Sequence, residues 1–173
     1  RLPRMDGNKM TITNDIKYIG VNDHMIDLFE GMYVVPNGMS YNSYVIIDEK
    51  IAVLDTTDAR FGDEWLSNLE KALDGRTPNY LIVHHMEPDH SSMIGSVLHH
   101  FPEVKIVGNA QTHKILKLYF NIPDSSLLVV KDGEVLDLGE HKLSFHFIPW
   151  VHWPETMVTY DQTTCTLFSC DAF

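Results

Sequence analysis

The sequence predicts a mixed α/β fold in which helices cover a sandwich of β-sheets. Three observations lead to this prediction. Short strand-like runs fill the first 54 residues, helical patterns alternate with strand-like runs in the middle of the chain, and strand-like runs return from Leu127 onwards. Strands, then β-α-β units, then strands again are typical of sheets layered with helices.

Length and charge limit the possible partners. The 173 residues suffice for one domain, or most of one, with a sizeable core. A formal net charge of -11 argues against nucleic acid and anionic membranes, since both attract basic surfaces. No window approaches 18 consecutive apolar residues. We therefore expect a soluble protein without a nucleic-acid or membrane partner.

The two cysteines indicate the cellular location of the protein, and the first residues of the chain indicate where the domain begins. Cys165 and Cys170 both lie in an apolar strand-like run, so that no disulfide is expected and the cytoplasm is the expected location. We interpret Cys170 as a small buried residue. Residues 1–10 are interpreted as a disordered lead-in or an expression scar, and residues 11–173 as the domain.

The first part of the chain predicts short antiparallel strands. Apolar runs occur at residues 12–20, 28–35, 44–47 and 51–54, and the polar sequence Asp48-Glu49-Lys50 between the last two is typical of a hairpin turn.

A change of period marks the first helix. Phe61, Trp65, Leu69 and Leu73 recur every four residues, with Asp58 as a candidate N-cap and Gly75 beyond the end. Trp65 at this spacing is expected in the core.

Two further helices and six further strands complete the prediction. A short helix is expected around residues 93–98, and Asn109 is expected to cap a helix that runs to Phe120. The apolar residues of this second helix that should face inward are Ile115, Leu116 and Tyr119. Strands are predicted at 105–107, 127–130, 135–138, 143–148, 157–160 and 166–169.

The central strand-like run, Leu81 to Val83, ends in a cluster of polar residues. The chain continues His84-His85-Met86-Glu87-Pro88-Asp89-His90, and Pro88 is expected to hold this segment in a loop because it cannot continue a strand ladder. His, Glu and Asp side chains are metal ligands, and burying four of them is costly without a metal or a hydrogen-bonding network.

The spacing of these donors suits two metal ions better than one. His85 and Glu87 would serve one ion, and Asp89 and His90 the other, provided that a local turn brings the last two together. His152 and Asp171 also follow predicted strands, although a single His or Asp is more often an ordinary core or surface residue. A carboxylate at Asp171 would be able to bridge two ions about 3.5–4 Å apart.

The sequence HHMEPDH, followed by His152 and Asp171, resembles the H-x-E-x-D-H … H … D pattern of the flavodiiron proteins (A-type flavoproteins). These proteins belong to the metallo-β-lactamase fold superfamily, an αββα sandwich, of which this chain would form the N-terminal and central part. Further similarity lies in residues 38–44, 54–56, 152–157 and 171–173.

The resemblance implies a ligand set and an activity. His85, Glu87 and His152 would hold one iron, Asp89 and His90 the other, and Asp171 would bridge them. Such proteins reduce O2 to water or NO to N2O with electrons from FMN. Hydrolases of this fold usually have His in place of Glu87, and a carboxylate there favours iron over zinc.

The resemblance also implies parts that do not occur in these 173 residues. The family has a further ligand His downstream and a flavodoxin-like domain that holds the FMN, so we expect a fragment, a remainder of the chain after Phe173, or a partner chain that supplies the rest. An electron donor such as rubredoxin or a reductase, and a head-to-tail homodimer, are expected as well.

Four residues are expected around the ligands. His84 is expected to hydrogen-bond rather than to bind metal. Asp55 either orients a ligand His or caps the following loop, and Trp153 either contacts the flavin or packs as a buried aromatic. Glu30 stands where many relatives have a His, which would alter the surroundings of the irons.

Two other functions stay open at this point. One is a stand-alone diiron module that binds O2 as a sensor. The other is a zinc-dependent hydrolase of thioesters or phosphodiesters, against which Glu87 is the main argument.

Overall fold

A computed structural model describes residues 13–29 and 31–172. The lead-in at residues 1–10 and the position of Glu30 therefore lie outside the described residues. None of the described helices is both long and apolar enough to cross a membrane.

The first part of the chain forms seven short strands, which are β1 (Ile16–Tyr18), β2 (Val21–Asp23), β3 (Leu28–Phe29), β4 (Tyr33–Val34), β5 (Met39–Tyr41), β6 (Tyr44–Ile46) and β7 (Ala52–Leu54). The prediction of one antiparallel sheet here is only partly correct. β1, β6 and β7 pair antiparallel within a larger sheet, whereas β2 pairs with β5 and β3 with β4 in two separate ribbons. β2 and β5 lie where no strand was predicted, and the hydrophobic patterns of such short segments do not identify the partner of a strand.

The middle of the chain alternates helices and strands, which are α1 (Gly62–Leu73), β8 (Tyr80–Ile82), α2 (Pro88–Ser91), α3 (Ile94–His100), β9 (Lys105–Gly108) and α4 (Ala110–Tyr119). Asp58 caps a single 3-10 turn that leads into α1. Asn109 caps α4 as predicted, because its Oδ1 accepts hydrogen bonds from the backbone N–H groups of Gln111 and Thr112.

Four strands follow β10 (Leu127–Val129), and these are β11 (Val135–Asp137), β12 (Lys142–Phe147), β13 (Met157–Asp161) and β14 (Thr166–Phe168). The central sheet has the order β1-β6-β7-β8-β9-β10, with β7 to β10 parallel to one another. The second sheet, β11-β12-β13-β14, is antiparallel throughout.

The central sheet is buried on both faces, because helices cover one face and the second sheet covers the other. Alternate residues of each strand point towards one layer or the other. Val53, Leu81 and Ile106 pack against α1, α3 and α4, and Trp65 of α1 is fully buried in this layer as predicted. Residues of the opposite face, such as Leu54 and Ile82, pack against Leu143, Phe145, Met157 and Phe168 of the second sheet. The predicted sandwich of sheets with a helical layer is thereby confirmed.

The inward position of Tyr119 is wrong. Leu116 is fully buried, but Tyr119 is 71% exposed at the last residue of α4. The spacing i, i+3 places both residues near one face, but Tyr119 is the last residue of α4 and its side chain is not covered there.

This architecture brings distant segments together at one edge. The carboxyl ends of the parallel strands β7 and β8 lie at the same edge of the central sheet, and β12 and β14, each antiparallel to β13, end at the same edge of the second sheet. A backbone hydrogen bond of 2.9 Å from Met157 N to His84 O joins the two sheets there.

Candidate metal centre

The segment after β8 places four donors at this edge. His84 to Glu87 leave the strand as a loop, as predicted, but Pro88 then begins the four-residue helix α2, which the sequence prediction missed. Pro is well suited to the first position of a helix because the N–H that it lacks has no helical partner there. The turn of α2 brings Asp89 and His90 to the same side.

Asp171 lies between two groups of donors. Its Oδ1 is 3.1 Å from His90 Nε2, and its Oδ2 is 3.5 Å from His85 Nε2 and 3.7 Å from His152 Nε2. The two oxygens of this carboxylate therefore face different histidines.

The first group of donors comprises His85, Glu87, His152 and Asp171. Their candidate ligand atoms all lie within 4.8 Å of one another. Glu87 Oε2 is 3.1 Å from His85 Nε2 and 2.8 Å from His152 Nε2. Two histidine nitrogens, the Glu87 carboxylate and the shared Asp171 thus converge on one point.

The second group comprises Asp89, His90 and Asp171, whose candidate ligand atoms also lie within 4.8 Å of one another. Asp89 Oδ2 is 3.6 Å from His90 Nε2, whereas the buried Oδ1 has no hydrogen-bond partner among the described residues. Burial raises the pKa of Asp89 to about 6. A buried carboxylate oxygen without a partner is what a bound cation would satisfy.

The pKa values of two histidines of the centre, His85 and His90, are raised. Burial alone would lower the pKa of His85, but hydrogen bonds to Asp171, Cys170 and Glu87 raise it to about 11. The pKa of His90 is also raised despite its burial, by hydrogen bonds to Asp171 and Asp55. Protons and metal ions compete for the same nitrogens, so a cluster that favours protonation also favours cations.

The pKa values of Asp171 and Glu87, unlike that of Asp89, are shifted downwards. Burial would raise the pKa of Asp171, but its hydrogen bonds to His85 and His90 hold that pKa well below the usual range. The pKa of Glu87 is lowered as well, since the hydrogen bond from His85 and the charge of His152 outweigh burial. Ionised carboxylates fit iron, manganese or zinc together with histidine nitrogens from which the metal has displaced the proton.

His84 uses both ring nitrogens in hydrogen bonds. Its Nδ1 is 2.7 Å from Asp55 Oδ2 and its Nε2 is 2.8 Å from Thr159 Oγ1. With neither nitrogen free, the ring ties the central sheet to β13 and is not available to a metal in this geometry.

Asp55 serves more than one neighbour. Its Oδ1 accepts the backbone N–H of His84 at 2.8 Å, and its Oδ2 lies 3.4 Å from His90 Nδ1. Burial would raise its pKa, but the charge and hydrogen bond of His84, helped by His90, lower that pKa well below the usual range. Of the two roles considered for Asp55, the geometry favours that of orienting a histidine.

His152 and Trp153 lie on the loop between β12 and β13. The His152 side chain is 52% exposed, although its Nε2 reaches Glu87. Trp153 packs against the helical layer of the core, with its ring centroid 6.1 Å from that of His85 at 84°. The loop is closed by Thr156, whose Oγ1 accepts the N–H of Trp153 at 3.1 Å and donates to its carbonyl at 2.9 Å.

Sequence reasoning missed Glu155. Its Oε1 accepts the backbone N–H of Met86 at 2.8 Å, and its carbonyl oxygen accepts a hydrogen bond from the Asn109 side chain. Glu155 thereby holds the donor loop from outside the cluster. A carboxylate three residues after His152, in an otherwise apolar loop, was the available signal.

Sequence reasoning also misjudged Cys170. The two cysteines are unpaired, as expected, but neither lies in a strand and Cys170 is only partly buried. Its Sγ is 3.2 Å from His85 Nδ1 and 3.7 Å from His90 Nδ1. Cys170 therefore contacts one histidine of each donor group.

A sandwich of two sheets, with helices on one face and His, Asp and Glu donors gathered at the strand ends, defines the metallo-β-lactamase-like class. A sequence model of the ODP family beta lactamase matches residues 39–173, and the chain belongs to this family.

Similar proteins extend the comparison. The anaerobic nitric oxide reductase flavorubredoxin of Salmonella typhi is 35% identical over 164 residues, which cover 94% of this chain and 34% of that protein. The crystal structure of the flavodiiron protein from Giardia intestinalis matches with a TM-score of 0.85 and 30% identity, over 96% of this chain and 40% of that one.

A second solved structure, the rubredoxin oxygen:oxidoreductase of Desulfovibrio gigas, matches with a TM-score of 0.84 and 28% identity, over 89% of this chain and 38% of that one. The chain thus spans about a third of the length of the curated relatives that it matches. These matches bear out the resemblance to flavodiiron proteins.

Proposed function

We propose that this chain carries a non-haem diiron centre that reduces O2 to water or NO to N2O with electrons from FMN. The observation that carries the proposal is the position of Asp171, whose two oxygens face two separate groups of donors. His85, Glu87 and His152 would hold one iron, Asp89 and His90 the other, and Asp171 would bridge them. When bound, the two irons would supply the binding site and the electrons for reduction of the gas.

The residues of the chain would perform the remaining tasks. Glu87, Asp89 and Asp171 bring three carboxylates to the centre, which balances much of the charge of two divalent ions and favours iron. Glu155 and Asp55 would keep the donor loop and the ring of His90 in place. Names of relatives that include a nitric oxide reductase and an oxygen:oxidoreductase support this class of reaction.

The FMN would come from another domain or from a partner chain, with electrons delivered by a donor such as rubredoxin or a reductase. Trp153, beside His85, is the proposed contact with the flavin. A head-to-tail homodimer that brings the flavin of one subunit to the irons of the other is part of the same proposal.

The test combines metal content with gas consumption. The protein is purified with iron, analysed for bound metal and reduced without O2, and is then mixed in separate experiments with O2 or, under anaerobic conditions, with NO. We expect two irons per chain, an exchange-coupled Mössbauer spectrum, and consumption of at least one gas. Each diferrous centre supplies two electrons, so that one centre should convert two NO to one N2O, and two centres should reduce one O2 to water.

Two variants make this test specific. Asp171→Asn should lose the bridge and slow gas consumption at least 100-fold, while Asp137→Asn, an exposed carboxylate on β11, should resemble the wild type. Binding of O2 without turnover would favour the sensor, and binding of zinc alone with hydrolytic activity would favour the hydrolase. Either result would overturn the proposal.

A further inference from the structure

Cys170 and Asp171, neighbours in the chain, contact the same two histidines from opposite sides. Asp171 faces the Nε2 atoms of His85 and His90, at 3.5 and 3.1 Å. The Cys170 sulfur faces their Nδ1 atoms, at 3.2 and 3.7 Å. The two imidazoles, which belong to different donor groups, are therefore held between adjacent residues of one short segment.

The sulfur fills a requirement that metal binding creates. A histidine that binds a metal through Nε2 carries a proton on Nδ1, and this N–H needs an acceptor when the ring is buried. Asp55 is a second acceptor for His90, at 3.4 Å. For His85, which is completely buried, Cys170 is the partner of Nδ1 among the described residues.

The backbone at Cys170 favours a different residue. Its φ angle is +51°, in the left-handed region that glycine adopts most easily. Cys170 also lines a cavity of about 180 Å³ next to Asp55 and His84, so that removing its side chain enlarges an existing space rather than emptying a packed core. The preference of the backbone and the contacts of the side chain can therefore be separated by experiment.

We propose that Cys170 is a positioning residue of the metal centre. Its sulfur accepts hydrogen bonds from the Nδ1–H groups of His85 and His90, and thereby directs both Nε2 atoms towards the metals. This inference rests on the proposed function, because it assumes that both histidines are ligands. By making both imidazoles better electron donors, the sulfur should also lower the reduction potentials of the two irons together.

The experiment compares four variants of the intact protein. Both Cys170→Gly and Cys170→Ala remove the sulfur. Only the glycine variant also removes the strain of the positive φ angle. Cys165→Gly and Cys165→Ala are matched controls, because Cys165 has a similar φ of +54° but an exposed side chain. The readouts are the affinity for Fe²⁺ by competition with a chelator, the reduction potentials of both irons, and the melting temperature of the metal-free protein.

We expect both Cys170 variants to bind Fe²⁺ about 10- to 100-fold more weakly than the wild type, with both potentials raised. Metal-free Cys170→Gly should melt at or above the wild-type temperature, which a merely structural role would not allow. Both Cys165 variants should keep the wild-type affinity and potentials.

Unchanged affinity and potentials in Cys170→Gly would overturn the inference. So would a change in only one of the two irons, because the sulfur contacts a histidine of each group. Failure of the wild type itself to bind two irons would be a different result, since it would overturn the proposed function instead.

Discussion

Glu87 is the residue that separates this donor set from one rich in nitrogen. Replacing it by histidine removes one negative charge and exchanges a hard oxygen donor for an imidazole. We expect Glu87→His to shift metal preference from iron towards zinc by about tenfold, which corresponds to roughly 1.4 kcal/mol.

The measurement is the iron-to-zinc ratio after loading the metal-free protein from an equimolar mixture of both ions. Glu103→His, at an exposed position before β9, is the control and should leave the ratio unchanged. An unaltered ratio in Glu87→His would mean that Glu87 does not select the metal.

His113 gives a prediction about pH that does not involve the metal centre. Its Nε2 lies 3.2 Å from the carbonyl oxygen of Ile106, while its buried Nδ1 has no partner among the described residues. Burial lowers the pKa of this histidine, and Lys117 lowers it further. In the unfolded chain, where the pKa of His113 is near the ordinary value of 6.5, the side chain therefore binds a proton at a higher pH than in the folded chain.

The free energy of unfolding should consequently keep the contribution of neutral His113 above about pH 6.5 and lose it as the pH falls below that value. His113→Gln should show a shallower loss of stability between pH 7.5 and 5.5. Urea unfolding of metal-free protein at three pH values measures both slopes, with His99→Gln as an exposed control. Equal slopes in wild type and His113→Gln would contradict the assignment.

All six proposed metal donors could be named from the sequence, because four of them lie in one short segment and the other two follow predicted strands. The sequence did not reveal Cys170 and Glu155 as neighbours of the site. Cys170 contacts His85, which lies 85 positions earlier in the chain, and Glu155 contacts Met86, which lies 69 positions earlier. No periodicity relates such positions, so only the pairing of the two sheets brings them together.

Among the elements, α1 shows how much of the helical layer follows from its apolar spacing. Leu69 is fully buried between α1 and the central sheet, whereas Leu118 of α4 is 81% exposed. We expect Leu69→Ala to lower the free energy of unfolding by about 2–5 kcal/mol, through lost burial and a residual cavity. Leu118→Ala should change it by less than about 0.5 kcal/mol.

Urea unfolding of both variants checks this difference between two leucines on helical surfaces. A small effect of Leu69→Ala would show that α1 does not form the core layer described here. The comparison also tests the difference between spacing and burial, since α4 carries apolar residues at helical positions that never reach the sheet.

The two longest helices were predictable, whereas several short elements were not. α1 and α4 have apolar residues at helical spacing, and Asn109 provides a cap. The four residues of α2 are too few to show a period, although the turn that they form brings Asp89 and His90 together. β2 (Val21–Asp23) and β5 (Met39–Tyr41) likewise lie where no strand was predicted, because three residues are too few to show a clear alternation.

At the scale of the whole molecule, the proposed centre joins the two sheets. His85 and Glu87 follow β8 of the central sheet, whereas His152 and Asp171 follow β12 and β14 of the second sheet. Unfolding separates these segments, so the unfolded chain does not present the same set of donors. Metal that binds only the folded chain must then stabilise it by mass action.

At a free metal concentration 100 times the dissociation constant, we expect the free energy of unfolding to rise by about 2.7 kcal/mol and the melting temperature by roughly 5–10 °C. Thermal unfolding monitored by circular dichroism, with Fe²⁺ under anaerobic conditions or with a chelator, measures the increase. Asp137→Asn should show the full increase because Asp137 lies on the surface of β11. Asp171→Asn should lose most of it, since this carboxylate faces both donor groups, and equal stabilisation of the two variants would place the metal elsewhere in the protein.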